Sequence, residues 1–203
     1  MYLKKWLGFG NSSFIPFPKA WNPFIKGSAI VLLASNSRMS KSGGGNSSCI
    51  STPDVVVNPG DHKYAEIRIN SFTSGIAFGL AKAGIDTSQD LGHDAFGWAF
   101  RTFLGTPDIF HNNSSSSYGG GAIGVSAGQT WGIELDYTQT GGTTLSVTFY
   151  KNDGTVNGAG AILTGLTGTY FIAAGTVVSN VFDLTENFQA PFIHAVPSGA
   201  TGF

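Results

Sequence analysis

The stretch from Trp131 to Gly154, "WGIELDYTQTGGTTLSVTFYKNDG", constrains the fold more than any other. Its second half alternates strictly, with Leu145, Val147 and Phe149 on one side of the chain and Ser146, Thr148 and Tyr150 on the other. A period of two belongs to a half-buried strand and cannot present a helical stripe. The first half, "WGIELDY", reads as the partner strand, joined through "TQTGG" in a hairpin. Asn152-Asp153-Gly154 then supplies residues that tolerate positive φ directly after a strand, which is the chemistry of a tight turn.

The same grammar recurs upstream. "HKYAEIRIN" puts Ala65, Ile67 and Ile69 on one face and Tyr64, Glu66 and Arg68 on the other, and "GIAFGLA" follows after a turn. No segment carries a convincing helical period. Short strands separated by turn signals predict an all-β chain of two packed antiparallel sheets, and 203 residues with 41% hydrophobic content suffice for one such core. Gly-rich or Ser-rich loops are predicted at 40–48 and 107–121.

Charge narrows the partners. Charged residues make up 11% of the chain, against about 25% in an ordinary domain, and the formal net charge is -1. No Lys/Arg run extends beyond Lys4-Lys5, so no phosphate-neutralising patch is present and nucleic acid is not an expected partner. No apolar run approaches the roughly 18 residues of a membrane span. At the N-terminus Gly8, Gly10 and Pro16 interrupt the apolar stretch, so no signal-peptide core forms and export by that route is not expected. Cys49 is the single cysteine, which excludes an internal disulfide or a cysteine zinc cluster and reads as a small half-buried filler.

The ordered series "HKYAEIRI", "GIAFGLAKAGIDTSQDLGHDAFGWAF", "GQTWGIELDYTQTGGTTLSVTFYKNDGTVNG" and "TENFQAPFIHAVPSG" resembles a SPRY, or B30.2, domain over roughly residues 28 to 199. The matching positions include Tyr64, Glu66, Gly79, Leu91, Gly92, Asp94, Trp98, Gly128, Gly132, Asp136, Phe149, Tyr150, Lys151, Asn152, Asn187, Phe188, Pro191 and Phe192. The chain departs from the family pattern at Gln129-Thr130, at the inserted Asp153 and at Gln189. The resemblance implies a two-sheet sandwich of the concanavalin-like type that binds rather than catalyses, and the "NF...PF...PSG" ending is similar to SPRY-like domains of phage structural proteins.

Three constellations bear on chemistry. "GVSAG" at 124–128, with Asp183 and His194 after it, matches a hydrolase nucleophile elbow, but that elbow needs a helix where Gln129 to Tyr137 reads as a strand. "ELDYTQ" approaches the E-x-D-x-x-E pattern of concanavalin-like glucanases. Glu134 and Asp136 share a strand face, yet Gln139 stands in the third place, and an amide cannot act as a general acid. His62, His93, His111 and His194 form no close ligand pair in sequence, and Asp86, Asp90 and Asp94 lack the rhythm of a calcium loop. No catalytic residue, metal ligand or cofactor is therefore assigned.

The expectation is a non-enzymatic SPRY-like sandwich over residues 28–203, preceded by an extended arm over residues 1–27. It is expected to serve as a phage virion component, made in the host cytoplasm, in assembly or host-surface attachment; a carbohydrate-binding module and a cytosolic interaction adaptor are the alternatives. Ligand contacts are expected from His111, Asn112, Asn113 and Tyr118 in the 107–121 loop, together with Asn152 and Asp153, on a host glycan or protein. Trp6, Phe9, Phe14, Phe17, Trp21 and Phe24 crowd an arm that Pro16, Pro18 and Pro23 keep from being helical, and are expected to dock on other virion proteins or on a second copy, a trimer suiting a fibre or spike. Trp98 and Trp131 are expected in the core.

Overall fold

The structure is a computed structural model that describes residues 19–103, 106–118, 123–151, 154–155, 161–176 and 180–203. In chain order its strands are β1 Trp21–Lys26, β2 Ile30–Leu33, β3 Arg38–Lys41, β4 Ser48–Ser51, β5 Val56–Val57, β6 His62–Phe72, β7 Gly75–Ala81 and β8 Gly97–Phe103. There follow β9 Thr106–His111, β10 Ser114–Ser116, β11 Thr130–Asp136, β12 Leu145–Lys151, β13 Gly154–Thr155, β14 Leu163–Leu166, β15 Tyr170–Gly175 and β16 Phe182–Asn187. A single 3-10 turn, Thr138–Thr140, is the only helical element among the described residues.

Two eight-stranded sheets result. The first runs β1-β4-β15-β7-β8-β9-β10 with β5 on β15; the second runs β13-β12-β11-β6-β16-β3-β2 with β14 on β12. Every strand pair is antiparallel. Alternation decides which residues meet between the sheets. Ala65, Ile67 and Ile69 of β6, Trp131, Ile133 and Leu135 of β11, and Leu145, Val147 and Phe149 of β12 all point into one buried cluster. At its centre Phe78, Phe100, Trp131 and Phe149 interlock with ring centroids 5.0 to 5.9 Å apart. The predicted sandwich is thus the observed one.

Three expectations need correction. The sandwich begins before residue 28, because β1 pairs with β4 and Trp21 is fully buried against Phe188 at 5.3 Å. Of the expected 107–121 loop, the described residues 107–118 are not a long loop: β9 and β10 pair around Asn112-Asn113, whose φ of 50° and 55° make the turn, and 119–121 lie outside the described residues. Composition hid this, since "SSSS" pairs through its backbone, which every residue carries alike. Finally, Trp98 is only partly buried, stacked at 4.2 Å on His111 with Tyr170 at its edge.

The outer face of the second sheet is covered by the chain's own C-terminal segment. Thr201 accepts from Tyr64 N at 2.8 Å and donates to His62 O at 3.1 Å. Phe192 stands edge-on to Tyr64 at 5.1 Å. Tyr64 and Glu66, which alternation alone would expose, are buried in consequence.

Candidate functional site

Two features of the surface have a chemistry of their own. The first is at the sandwich's open side, where β1 and β2 are the edge strands of the two sheets. Lys26 Nζ of β1 donates to Ile30 O of β2 at 2.8 Å, and Trp21 N donates to Asn36 O in the turn between β2 and β3 at 3.0 Å. The register between β1 and β4 jumps from Trp21↔Ser51 to Lys26↔Cys49, so three residues are in excess and must bulge. Asn22 fixes that bulge: its Oδ1 accepts from Phe24 N at 2.9 Å and Ile25 N at 3.2 Å, an Asx turn. The result lifts Phe24 into solvent at 85% exposure. Ile25 is exposed beside it, and on β2 Val31 and Leu33 are exposed while Ile30 turns inward. An apolar group of four residues on two sheet edges is the sort of surface that recruits a partner.

The second feature lies under the C-terminal segment. Glu66, fully buried on β6, accepts from Ile193 N at 2.8 Å, His194 N at 2.8 Å and Asn187 Nδ2 at 3.1 Å. Four of the family-matching positions, Tyr64, Glu66, Asn187 and Phe192, therefore meet in one place and hold the chain's end on the sheet. Next to them, antiparallel register sets Asp136 opposite His62 and Glu134 opposite Tyr64. His62 Nε2 is 2.8 Å from Glu134 Oε1 and 3.9 Å from Asp136 Oδ2. Tyr150 donates its hydroxyl to Glu134 Oε2 at 2.6 Å, and burial together with that carboxylate pushes the phenol pKa up. Burial opposes the ionisation of Asp136, but Thr138 N and Oγ1, the Gln139 side chain and His62 outweigh it and hold the carboxyl below its usual range. The sequence reading placed no histidine near these carboxylates. His62 and Asp136 are 74 positions apart, and only the strand register brings them together.

The predicted ligand residues do not gather into one surface. Tyr118 is buried edge-on against Phe100 at 5.5 Å, so it offers no aromatic face to solvent. His111 is committed to Trp98 and, through Nδ1, to Gly97 O at 2.7 Å. Among the described ones, Asn112 and Asn113 are exposed, at the hairpin tip. Asn152 and Asp153 lie outside the described residues. Of the docking aromatics, Trp6, Phe9, Phe14 and Phe17 lie outside the described residues, Trp21 is core, and Phe24 is exposed. The hydrolase reading fails on local structure: Ser126 sits in an exposed turn that leads into β11, and Asp183 is taken by Arg38 and Asn70.

No family model matches the chain. No curated protein matches it either. Solved structures do. The SPRY domain of human HERC1 superposes with a TM-score of 0.60 at 12% identity, over 83% of this chain and 97% of that one. The TRIM65 PSpry domain gives 0.60 at 15% identity, over 84% and 92%. A human SPRY domain gives 0.59 at 14%, over 81% and 98%. Identities this low speak to architecture alone, and the architecture agrees with the order of the sequence motifs: this chain has a SPRY-like fold.

Proposed function

We propose that the chain is a binding module that acts through contact rather than catalysis, and that its contact is made by the edge patch of Phe24, Ile25, Val31 and Leu33. The observation that carries this is the Asn22-locked bulge. It keeps a large aromatic ring in water, a cost in free energy of the order of 1.5–3 kcal/mol relative to burial, and such a ring becomes favourable once a partner covers it. The occupant is the aromatic N-terminal segment of a second copy. That segment brings Trp6, Phe9, Phe14 and Phe17 in 18 residues and joins the described chain at Lys19, two residues before the start of β1, the strand that carries Phe24 and Ile25. Exchange of such arms between copies gives the symmetric assemblies usual for homo-oligomers.

The setting we propose is a phage particle, supported by the likeness of the "NF...PF...PSG" ending to phage SPRY-like domains. The non-catalytic reading is supported by Glu134 and Asp136 being engaged by His62, Tyr150 and Thr138 beneath the C-terminal segment. Light scattering on the full chain, on a variant lacking residues 1–18 and on Phe24→Asp tests the proposal. The full chain is expected to be oligomeric and both variants monomeric with unchanged far-UV circular dichroism. A monomeric full chain, or an oligomer indifferent to both changes, would overturn it.

A further inference from the structure

From the geometry on the outer face of the second sheet we infer that His62, Glu134 and Asp136 form a binding site for one divalent transition-series cation of the zinc class. One ligand atom from each residue lies within 4.8 Å of the others. Ligand atoms around a tetrahedral zinc, with bonds of about 2.0–2.1 Å, stand about 3.3 Å apart. The two separations from His62 Nε2, 2.8 and 3.9 Å, bracket that figure, so small side-chain adjustments seat the ion.

The surroundings distinguish this group from a chance ion pair. Neighbours orient both carboxylates: Tyr150 holds Glu134 Oε2 while Oε1 faces His62, and Thr138 holds Asp136 Oδ1, with the Gln139 side chain also bonded to that carboxylate, while Oδ2 lies on the His62 side. Hydrogen bonds that orient the ligands in this way are the usual outer layer of a protein metal site. The strands that carry the three residues are paired in continuous register, and the C-terminal segment is hydrogen-bonded to the start of β6 through Thr201. Side-chain exposures of 12%, 11% and 4% for His62, Glu134 and Asp136 place the group largely, though not wholly, out of solvent. One imidazole with two carboxylates gives a formally neutral site around a divalent ion, and the nitrogen ligand favours zinc over calcium or magnesium.

The test is Zn2+ binding to the full chain after chelator treatment, followed by calorimetric titration and by the shift of the thermal midpoint with metal concentration. One equivalent per chain is expected, with the midpoint rising as Zn2+ increases and Ca2+ without effect. His62→Gln, whose amide can still donate to Glu134, is expected to abolish the uptake; Tyr150→Phe, which removes only the hydroxyl, is expected to weaken it by about tenfold or more. Absence of Zn2+ uptake by the unaltered chain overturns the inference. So does uptake that both variants leave unchanged, since the ion would then sit elsewhere, and Tyr150→Phe decides the matter should His62→Gln not fold.

Discussion

Glu66 shows how one buried carboxylate can fix a terminal segment. Its oxygens receive two backbone N–H groups and an amide from residues some 120 positions later. Replacing it by Gln turns part of the acceptor into a donor facing donors, and charge-assisted bonds of this kind contribute about 1.5–3 kcal/mol each. Glu66→Gln is expected to destabilise the fold by about 2–4 kcal/mol in urea titration. Glu186 is a carboxyl with a different role. It follows Leu184 on the inward face of β16, and burial raises its carboxyl pKa to about 7, Phe188 N only partly offsetting this. A folded-state pKa above the unfolded one means that the native chain holds the proton more tightly, so this group's contribution is complete below about pH 4.5 and is lost as pH rises through 7. The urea midpoint of Glu186→Gln is expected to fall less than that of the unaltered chain between pH 5 and 8. An identical slope in both would show that Glu186 does not titrate there.

At the scale of elements, legibility followed periodicity. β6, β11 and β12 were readable because alternation names the buried face, and Trp131, on the inward side of β11, is buried as expected. β1 was not readable, because its bulge breaks the period and Pro23 reads as an interruption; the pairing with β4 is fixed by tertiary contact. The placement of His62 beside Glu134 and Asp136 was hidden for the same kind of reason, since a register is a property of two strands and not of either one. Gly92 is a position where the element demands the residue: φ is +90° and a Cβ would lie 2.2 Å from Phe110 O. The β1 boundary also sets where the chain can be shortened. Removal of residues 1–18 is expected to leave the sandwich folded and to remove only what assembly contributes to stability, whereas removal of 1–24 also takes the buried Trp21 and is expected to cost about 3–5 kcal/mol more. Equal melting of the two truncated chains would contradict the place of Trp21 in the core.

As a whole molecule the chain is a sandwich with one sheet covered by its own C-terminus and one side left apolar at the joined edges of both sheets. That asymmetry was legible only in part. The sandwich and its family likeness follow from the order of motifs, while the exposed edge depends on which strands end each sheet. The contact proposed for that edge is open to one direct measurement. A photo-crosslinking phenylalanine analogue in place of Phe24, in an equal mixture of 14N-labelled and 15N-labelled full chains, reports by mass spectrometry what lies over the bulge and from which copy it comes. The account predicts mixed-isotope crosslinks whose second partner falls within residues 1–18. Crosslinks confined to a single isotope, or mapping outside that segment, would contradict it.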